Sequence, residues 1–203
     1  MESGERFVNR RSFLLYATSA VGMLSALASA PLKGIAQEED PSRASQGGPA
    51  DPSWNIVMVK DGEPGEPLVV SGTIYQVDGK TPVAGARLYV YHTDASGRYT
   101  RNPLSRTPRL RGWMKTGPEG HYEFRTIKPG AYPGERIPAH IHATIAAPGQ
   151  REKWIEDFLF ADDPNVSPAA VAKAQGQGSF SNVLKLTRGQ EGIWRAVRDI
   201  RLP

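Results

Sequence analysis

The sequence of 203 residues contains no cysteine. A disulfide framework, thiol catalysis and cysteine-ligated zinc or iron–sulfur sites are therefore excluded. An excess of one charge is also lacking, since the formal net charge at pH 7 is only +4 and basic residues are scattered among acidic ones. This balance favours an ordinary protein surface over a nucleic-acid-binding surface. Histidine is scarce as well, with four in the whole chain, so the pair His140 and His142 stands out.

The first 36 residues are predicted to be an export signal. Arg10 and Arg11 stand directly before an uncharged run, residues 12–32, that is rich in Ala, Ser and Gly. Such a run is more typical of the hydrophobic region of a signal peptide than of a permanent membrane span. The arginine pair resembles the bacterial twin-arginine motif. We therefore expect export by that route to the periplasm or outside the cell, with membrane contact only through the signal. The alternatives are an ordinary secretory signal and an uncleaved membrane anchor.

The rest of the chain is predicted to be all-β. Glycine and proline are abundant, with 21 and 17 residues, and helix-forming runs are few. Residues 37–65 are expected to form a polar arm or linker, and residues 66–203 a two-sheet β-sandwich of about eight short strands. The strand-like runs are 68–75, 86–91, 112–116, 121–126, 139–146, 154–160, 183–186 and 194–200. One short helix is predicted over 167–174, with Ser167 as N-cap and Pro168 in its first turn.

Residues 138–142, Pro-Ala-His-Ile-His, indicate a metal-binding strand. Alternate side chains of a strand share a face, so His140 and His142 can direct both imidazoles to one point. The opposite face of this strand is apolar, which fixes its register; a solvated strand face is the alternative for a lone His-x-His. Tyr99 and Tyr132 lie in loops defined by glycine and proline. Two imidazoles and two phenolates form a hard, partly anionic ligand set that suits Fe(III) better than zinc or copper.

Residues 72–164 resemble the intradiol ring-cleavage dioxygenases, ferric enzymes that open catechols between the two hydroxyls. The matching positions are, in order, 82–86, 94–99, 111–112, 116, 120–124, 126–133, 138–142 and 162–164. The resemblance implies Fe(III) held by four residues, Tyr99, Tyr132, His140 and His142. It also implies that a catechol displaces Tyr132, and that O2 adds between the hydroxylated carbons to give a cis,cis-muconate-type diacid.

Two positions depart from the family pattern. An arginine that many members carry three residues before the first histidine is replaced by Ile137, and Arg136 lies one position further back. A regular strand would turn Arg136 to the opposite face, but Pro138 allows a loop there, so Arg136 is the candidate that stabilises the reacting substrate. A later Thr-Gln of the family is replaced by Glu156-Asp157. Both changes bear on rate and substrate choice rather than on iron binding.

The expected substrate is protocatechuate, catechol or a lignin-related analogue. The polar arm replaces the long helical segment of the catechol 1,2-dioxygenase branch, so the chain is more similar to the protocatechuate 3,4-dioxygenase branch. Four arginines either attract a carboxylated catechol or form a solvated basic loop; they are Arg101, Arg106, Arg109 and Arg111. Tyr91 and Trp113 are candidates for aromatic walls or for ordinary core residues. Self-association into a homo-oligomer is left open.

Two other functions are compatible with the sequence. In the first, His92 and Asp94 combine with His140 or His142 in a ferrous site of two histidines and one carboxylate, which leaves both loop tyrosines without a role. In the second, the chain is a non-catalytic, transthyretin-like β-sandwich module, because the Pro-Val-Ala-Gly-Ala turn at 82–86 also occurs in such domains.

Overall fold

The computed structural model describes residues 47–102, 104–105 and 107–203. The predicted export signal, the first part of the polar arm and Arg106 lie outside these ranges, so the export route stays a prediction. Within the described residues, the structure contains no helix of the length and apolar character needed to cross a membrane.

Eleven strands and one α-helix make up the regular structure of the described residues. In chain order they are β1 (Asn55–Val57), β2 (Pro67–Tyr75), β3 (Arg87–His92), β4 (Leu110–Lys115), β5 (His121–Ile127), β6 (His140–Ala146), β7 (Lys153–Phe160), α1 (Pro168–Gln175), a 3-10 turn (Gly178–Phe180), β8 (Val183–Leu184), β9 (Thr187–Arg188), β10 (Trp194–Val197) and β11 (Ile200–Arg201). One sheet has the order β1-β5-β2-β10-β9, with β11 also paired to β2. The other sheet has the order β4-β3-β6-β7-β8, which places β6 in its centre.

Apolar side chains from the two sheets meet in one core. The larger sheet contributes Val70 and Phe124, and the smaller sheet contributes Ile141 and Phe158, all with no exposed surface. Burying a side chain of this size stabilises the fold by roughly 1.5–3 kcal/mol. Ala139, Ala143 and Ile145 are buried with Ile141, so the apolar face predicted for the histidine strand is confirmed. His140 and His142 consequently lie on the outer face of the smaller sheet.

The predicted all-β sandwich with one short helix is confirmed. The Oγ of Ser167 accepts a hydrogen bond from the backbone N–H of Ala170 at 3.1 Å, as expected of an N-cap. Strands β1 and β9 are not among the predicted runs, because two or three residues are too short to show a periodic pattern. The single run predicted over 194–200 is divided in the structure into β10 and the first residue of β11. Strand β1 belongs to the segment expected to be a polar arm and pairs in parallel with β5.

Candidate metal centre

The structure brings together the four residues predicted to bind a metal. His140 and His142 project from β6, Tyr99 follows β3, and Tyr132 lies in the loop between β5 and β6. The Nε2 atoms of the two histidines are 3.1 Å apart. The hydroxyl of Tyr99 is 2.8 Å from His142 Nε2, and the hydroxyl of Tyr132 is 3.3 Å from His140 Nε2. The two tyrosine hydroxyls are also in direct contact, so four donor atoms converge on one point.

Hydrogen bonds on the far side of each imidazole fix its tautomer. His140 Nδ1 lies 2.7 Å from the carbonyl oxygen of Pro138, which can only accept, so Nδ1 carries the hydrogen. His142 Nδ1 lies 2.9 Å from a carboxylate oxygen of Asp157, which has the same consequence. Both Nε2 atoms therefore present lone pairs to the shared point. Of the four atoms that meet at this point, only the two phenol oxygens carry a hydrogen. A cation bound there could take the place of these two hydrogens.

The electrostatics of the site make a cation necessary for phenolate formation. Burial, and then the hydrogen bond to Tyr132, raise the pKa of Tyr99 above that of a free phenol. Burial also raises the pKa of Tyr132. Without a cation both phenols stay protonated at neutral pH, whereas a bound metal ion favours their ionised form. Metal binding by these two residues would therefore release protons.

The two tyrosine loops are packed against each other. Asp94 Oδ1 accepts from the backbone N–H of Ser96 at 2.9 Å, which closes the turn before Tyr99. Gly97 in that turn has a φ of +77°, and a Cβ built on it would lie 2.0 Å from the carbonyl oxygen of Ala131 in the other loop. The backbone N–H of Gly130 donates to the carbonyl of Asp94 at 3.0 Å. Glycine at position 97 therefore permits the approach that places the tyrosines side by side.

An ion pair from the polar arm secures the same region. Arg109 donates through both terminal nitrogens to the carboxylate of Glu63, at 2.6 and 2.7 Å. Asp94 Oδ2 lies 3.7 Å from the same guanidinium, and the backbone N–H of Arg109 donates to the carbonyl of Tyr99 at 2.8 Å. The Glu63 side chain is only 8% exposed, and the hydrogen bonds from Arg109 lower its pKa. The Tyr99 loop is thus connected to residues far away in the sequence.

Aromatic rings surround the imidazole of His142. Tyr91 stacks on it with ring centres 4.6 Å apart, and Trp154 contacts it edge-on at 6.1 Å. Tyr91 therefore forms one wall of the site. Trp113 packs on Tyr89, with ring centres 4.8 Å apart.

The remaining sequence candidates occupy other positions. Arg136 is exposed in the irregular segment before β6, and its catalytic role stays a prediction. Arg101 and Arg109 both face Glu63, which reduces the positive charge that they offer to a substrate. Arg111 lies over the ring of Trp113, 5.6 Å from its centre.

The ferrous site involving His92 is not assembled. His92 has no exposed surface and pairs with Ile141 across the strands, so it lies on the core side of the sheet. Its ring bonds to Thr93 and Thr126 at 2.6 and 2.7 Å, and burial lowers its pKa to about 4. In the described part of the chain, the group of acidic and histidine residues that could hold a metal consists of His140, His142 and Asp157. The sequence indicates Asp157 only as a departure from the family pattern, because the register shift in β7 hides from a periodicity argument which of Glu156 and Asp157 points outward.

Comparisons with known proteins identify the family of the chain. A family model described as Dioxygenase matches residues 41–193. The protocatechuate 3,4-dioxygenase beta chain of Burkholderia cepacia is 35% identical over 129 residues, covering 58% of this chain and 54% of that protein. A hydroxyquinol 1,2-dioxygenase of Rhizobium sp. is 33% identical over 147 residues, covering 63% and 49% of the two chains. The chain spans about half the length of the curated relatives it matches.

Solved structures show the same architecture. The dioxygenase domain of a dioxygenase and carbohydrate-binding protein fusion from Streptomyces sp. SirexAA-E superposes with a TM-score of 0.57 and 26% identity, covering 80% of this chain and 98% of that domain. Catechol 1,2-dioxygenase from Acinetobacter sp. ADP1 gives a TM-score of 0.57 and 25% identity, covering 76% and 59% of the two chains. Because the family match extends over most of the sequence, the chain belongs to the intradiol ring-cleavage dioxygenase family.

Proposed function

We propose that the protein is a non-haem Fe(III) intradiol dioxygenase acting on a catechol. The enzyme would insert both atoms of O2 between the two hydroxylated carbons and give a cis,cis-muconate-type diacid. The observation that carries this proposal is the convergence of two imidazole lone pairs and two phenol oxygens on one point. Relatives named for protocatechuate and hydroxyquinol support the substrate class.

The donor set fits Fe(III) in spacing and in charge. Metal–donor bonds of about 2.0–2.2 Å place neighbouring donors about 3 Å apart. The three separations that involve a histidine are 2.8, 3.1 and 3.3 Å, and the two tyrosine hydroxyls, which are in direct contact, would move apart around the ion. Two phenolates neutralise much of the charge of a tripositive ion, and oxygen donors of this kind are preferred by hard cations. Bound Fe(III) would supply Lewis acidity and a template on which both catechol oxygens are held.

The two tyrosines are suited to different roles. Tyr99 is held through the Arg109 backbone and by the closer contact to His142, so it would remain in place when substrate binds. Tyr132 makes a longer contact to His140, 3.3 Å, and precedes the exposed residues Pro133 and Gly134. Its Oη would move away and accept a proton from a substrate hydroxyl. Arg136, exposed a few residues before His140, is proposed to stabilise the reacting substrate.

The proposal is tested with iron-loaded, purified protein and a panel of catechols. The panel includes catechol, protocatechuate, hydroxyquinol, chlorinated catechols and lignin-derived catechols. Uptake of one O2 per ring, with formation of a diacid detected by mass spectrometry, is the expected result for at least one compound. If iron-replete protein consumes no O2 with any of them, the proposal is wrong. Protein purified under gentle conditions that also binds no iron would favour the non-catalytic module.

A further inference from the structure

Strand β7 contains an irregularity directly opposite His142. Ile141 pairs with Phe158, but the next residue pair beyond His142 is Ala143 with Ile155. In the strand pairing, Glu156 and Asp157 therefore both lie opposite the single residue His142. Two residues opposite one define a β-bulge, and bulges next to functional sites redirect a side chain.

The bulge directs Asp157 to the outer face of the sheet, where the imidazoles lie. Phe158 is completely buried on the core side, and Asp157 precedes it with a side chain that is 35% exposed. Its Oδ1 reaches His142 Nδ1 at 2.9 Å. Glu156, the other residue of the bulge, is exposed, and the cluster of possible ligand atoms found in the described residues includes Asp157 but not Glu156.

We propose that Asp157 is a positioning residue for the metal centre, which holds His142 in the Nδ1–H tautomer and adds one negative charge behind it. The tautomer of His142 follows from its hydrogen bond to Asp157 alone. The effect of Asp157 on a bound metal rests on the proposed function. Asp157 is not itself a ligand in this assignment. It contacts Nδ1, whereas both tyrosines lie on the Nε2 side of the ring.

The charge of Asp157 has consequences for a bound iron ion. A carboxylate that accepts from the far side of an imidazole makes the ring a stronger electron donor. It therefore stabilises Fe(III) relative to Fe(II), and it raises the energy needed to transfer an electron from a phenolate to the iron. Loss of the charge should make the reduction potential more positive and shift the visible absorption band to longer wavelength.

Three variants distinguish the effect of the Asp157 charge from the effect of its hydrogen bond and from that of a charge elsewhere in the bulge. Asp157→Asn keeps an acceptor for His142 and removes the charge, so it should bind iron but show the shifted band and potential. Asp157→Ala removes both and should bind iron roughly 10-fold to 100-fold more weakly. Glu156→Gln removes the same charge from the other residue of the bulge, and should keep the spectrum, potential and iron affinity of the wild type. A merely structural role for Asp157 would leave the potential of Asp157→Asn unchanged.

A second readout does not involve iron. Long-range 1H–15N NMR of the metal-free protein should show His142 as the Nδ1–H tautomer in the wild type and in Asp157→Asn, and a mixture of tautomers in Asp157→Ala. An Nε2–H tautomer in the wild type would overturn the inference, whatever metal the protein binds.

The outcomes also separate this inference from the proposed function. If the wild-type protein takes up iron and is coloured, but Asp157→Asn has the same spectrum and reduction potential, only the inference about Asp157 is refuted. Complete loss of iron from Asp157→Asn, equal to the loss in His142→Ala, would make Asp157 a ligand and also refute it. A wild-type protein that takes up no iron refutes the proposed function and the metal claim, while the NMR result still decides the tautomer.

Discussion

Replacing Glu63 by glutamine should destabilise the protein and loosen its metal centre. The substitution removes the charge that faces Arg109 at 2.6 and 2.7 Å, and leaves Asp94 at 3.7 Å as the remaining carboxylate. Breaking a buried ion pair costs about 3–5 kcal/mol, whereas an exposed pair contributes about 0–1 kcal/mol. Glu63 is 8% exposed and Arg109 is 30% exposed, so we expect an intermediate loss of about 2 kcal/mol in the free energy of unfolding.

The same substitution should weaken iron binding, since Arg109 also holds the backbone of Tyr99. If the whole loss of about 2 kcal/mol acts on the Tyr99 loop, iron affinity falls by at most about 30-fold. Denaturant unfolding at pH 7 measures the first effect, and competition with an iron chelator measures the second. Asp51→Asn, which breaks the exposed pair with Lys115, is the matched control and should change neither quantity measurably.

The pH dependence of this effect provides a further check. Because Arg109 lowers the pKa of Glu63, the ion pair contributes fully above the ordinary glutamate pKa of 4.5 and is lost as the pH falls through the lowered value. The stability difference between wild type and Glu63→Gln should therefore shrink in acid. Equal stability and equal iron affinity at pH 7 would refute the proposed link between the polar arm and the Tyr99 loop.

Three further predictions follow from individual contacts. Gly97→Ala should abolish iron binding, because the added Cβ collides with Ala131. Gly134→Ala is the control, since Gly134 also has a positive φ but open space around it, and this variant should keep iron. Equal iron content in the two variants would contradict this prediction. The pKa of His92 falls from 6.5 to about 4 on folding, so the unfolded state binds more protons than the folded state between these values. The free energy of unfolding should therefore drop by up to about 3 kcal/mol as the pH falls from 6.5 to 4. Denaturant unfolding of His92→Gln should depend less steeply on pH over this range, and the same steepness as in the wild type would contradict the lowered pKa of His92. Ser167→Ala should cost about 1 kcal/mol in denaturant unfolding through loss of the N-cap, and no loss would mean that the cap is unimportant.

The parts of the site that could be predicted depend on local chemistry. Alternation along β6 shows that His140 and His142 share a face, because the opposite face is apolar and fixes the register. Glycine and proline next to Tyr99 and Tyr132 indicate loops, and these loops do carry the two hydroxyls to the histidines. Local patterns of this kind need no knowledge of which strands pair.

Contacts between distant segments could not be predicted in this way. The pairing of β1 with β5 and the bidentate contact of Glu63 with Arg109 depend on how the chain returns on itself. The bulge in β7 shifts the alternation by one residue, so periodicity alone could not decide whether Glu156 or Asp157 faces His142. The partner of that imidazole became identifiable only from the paired strands.

The visible absorption spectrum of the purified protein, recorded together with its iron content, tests the central claim most directly. Fe(III) held by Tyr99 and Tyr132 should give a red-brown protein with one iron per chain, and Tyr132→Phe should shift or weaken the phenolate-to-iron band. A colourless protein at full iron occupancy, or a spectrum that Tyr132→Phe leaves unchanged, would contradict the assignment of these residues as iron ligands.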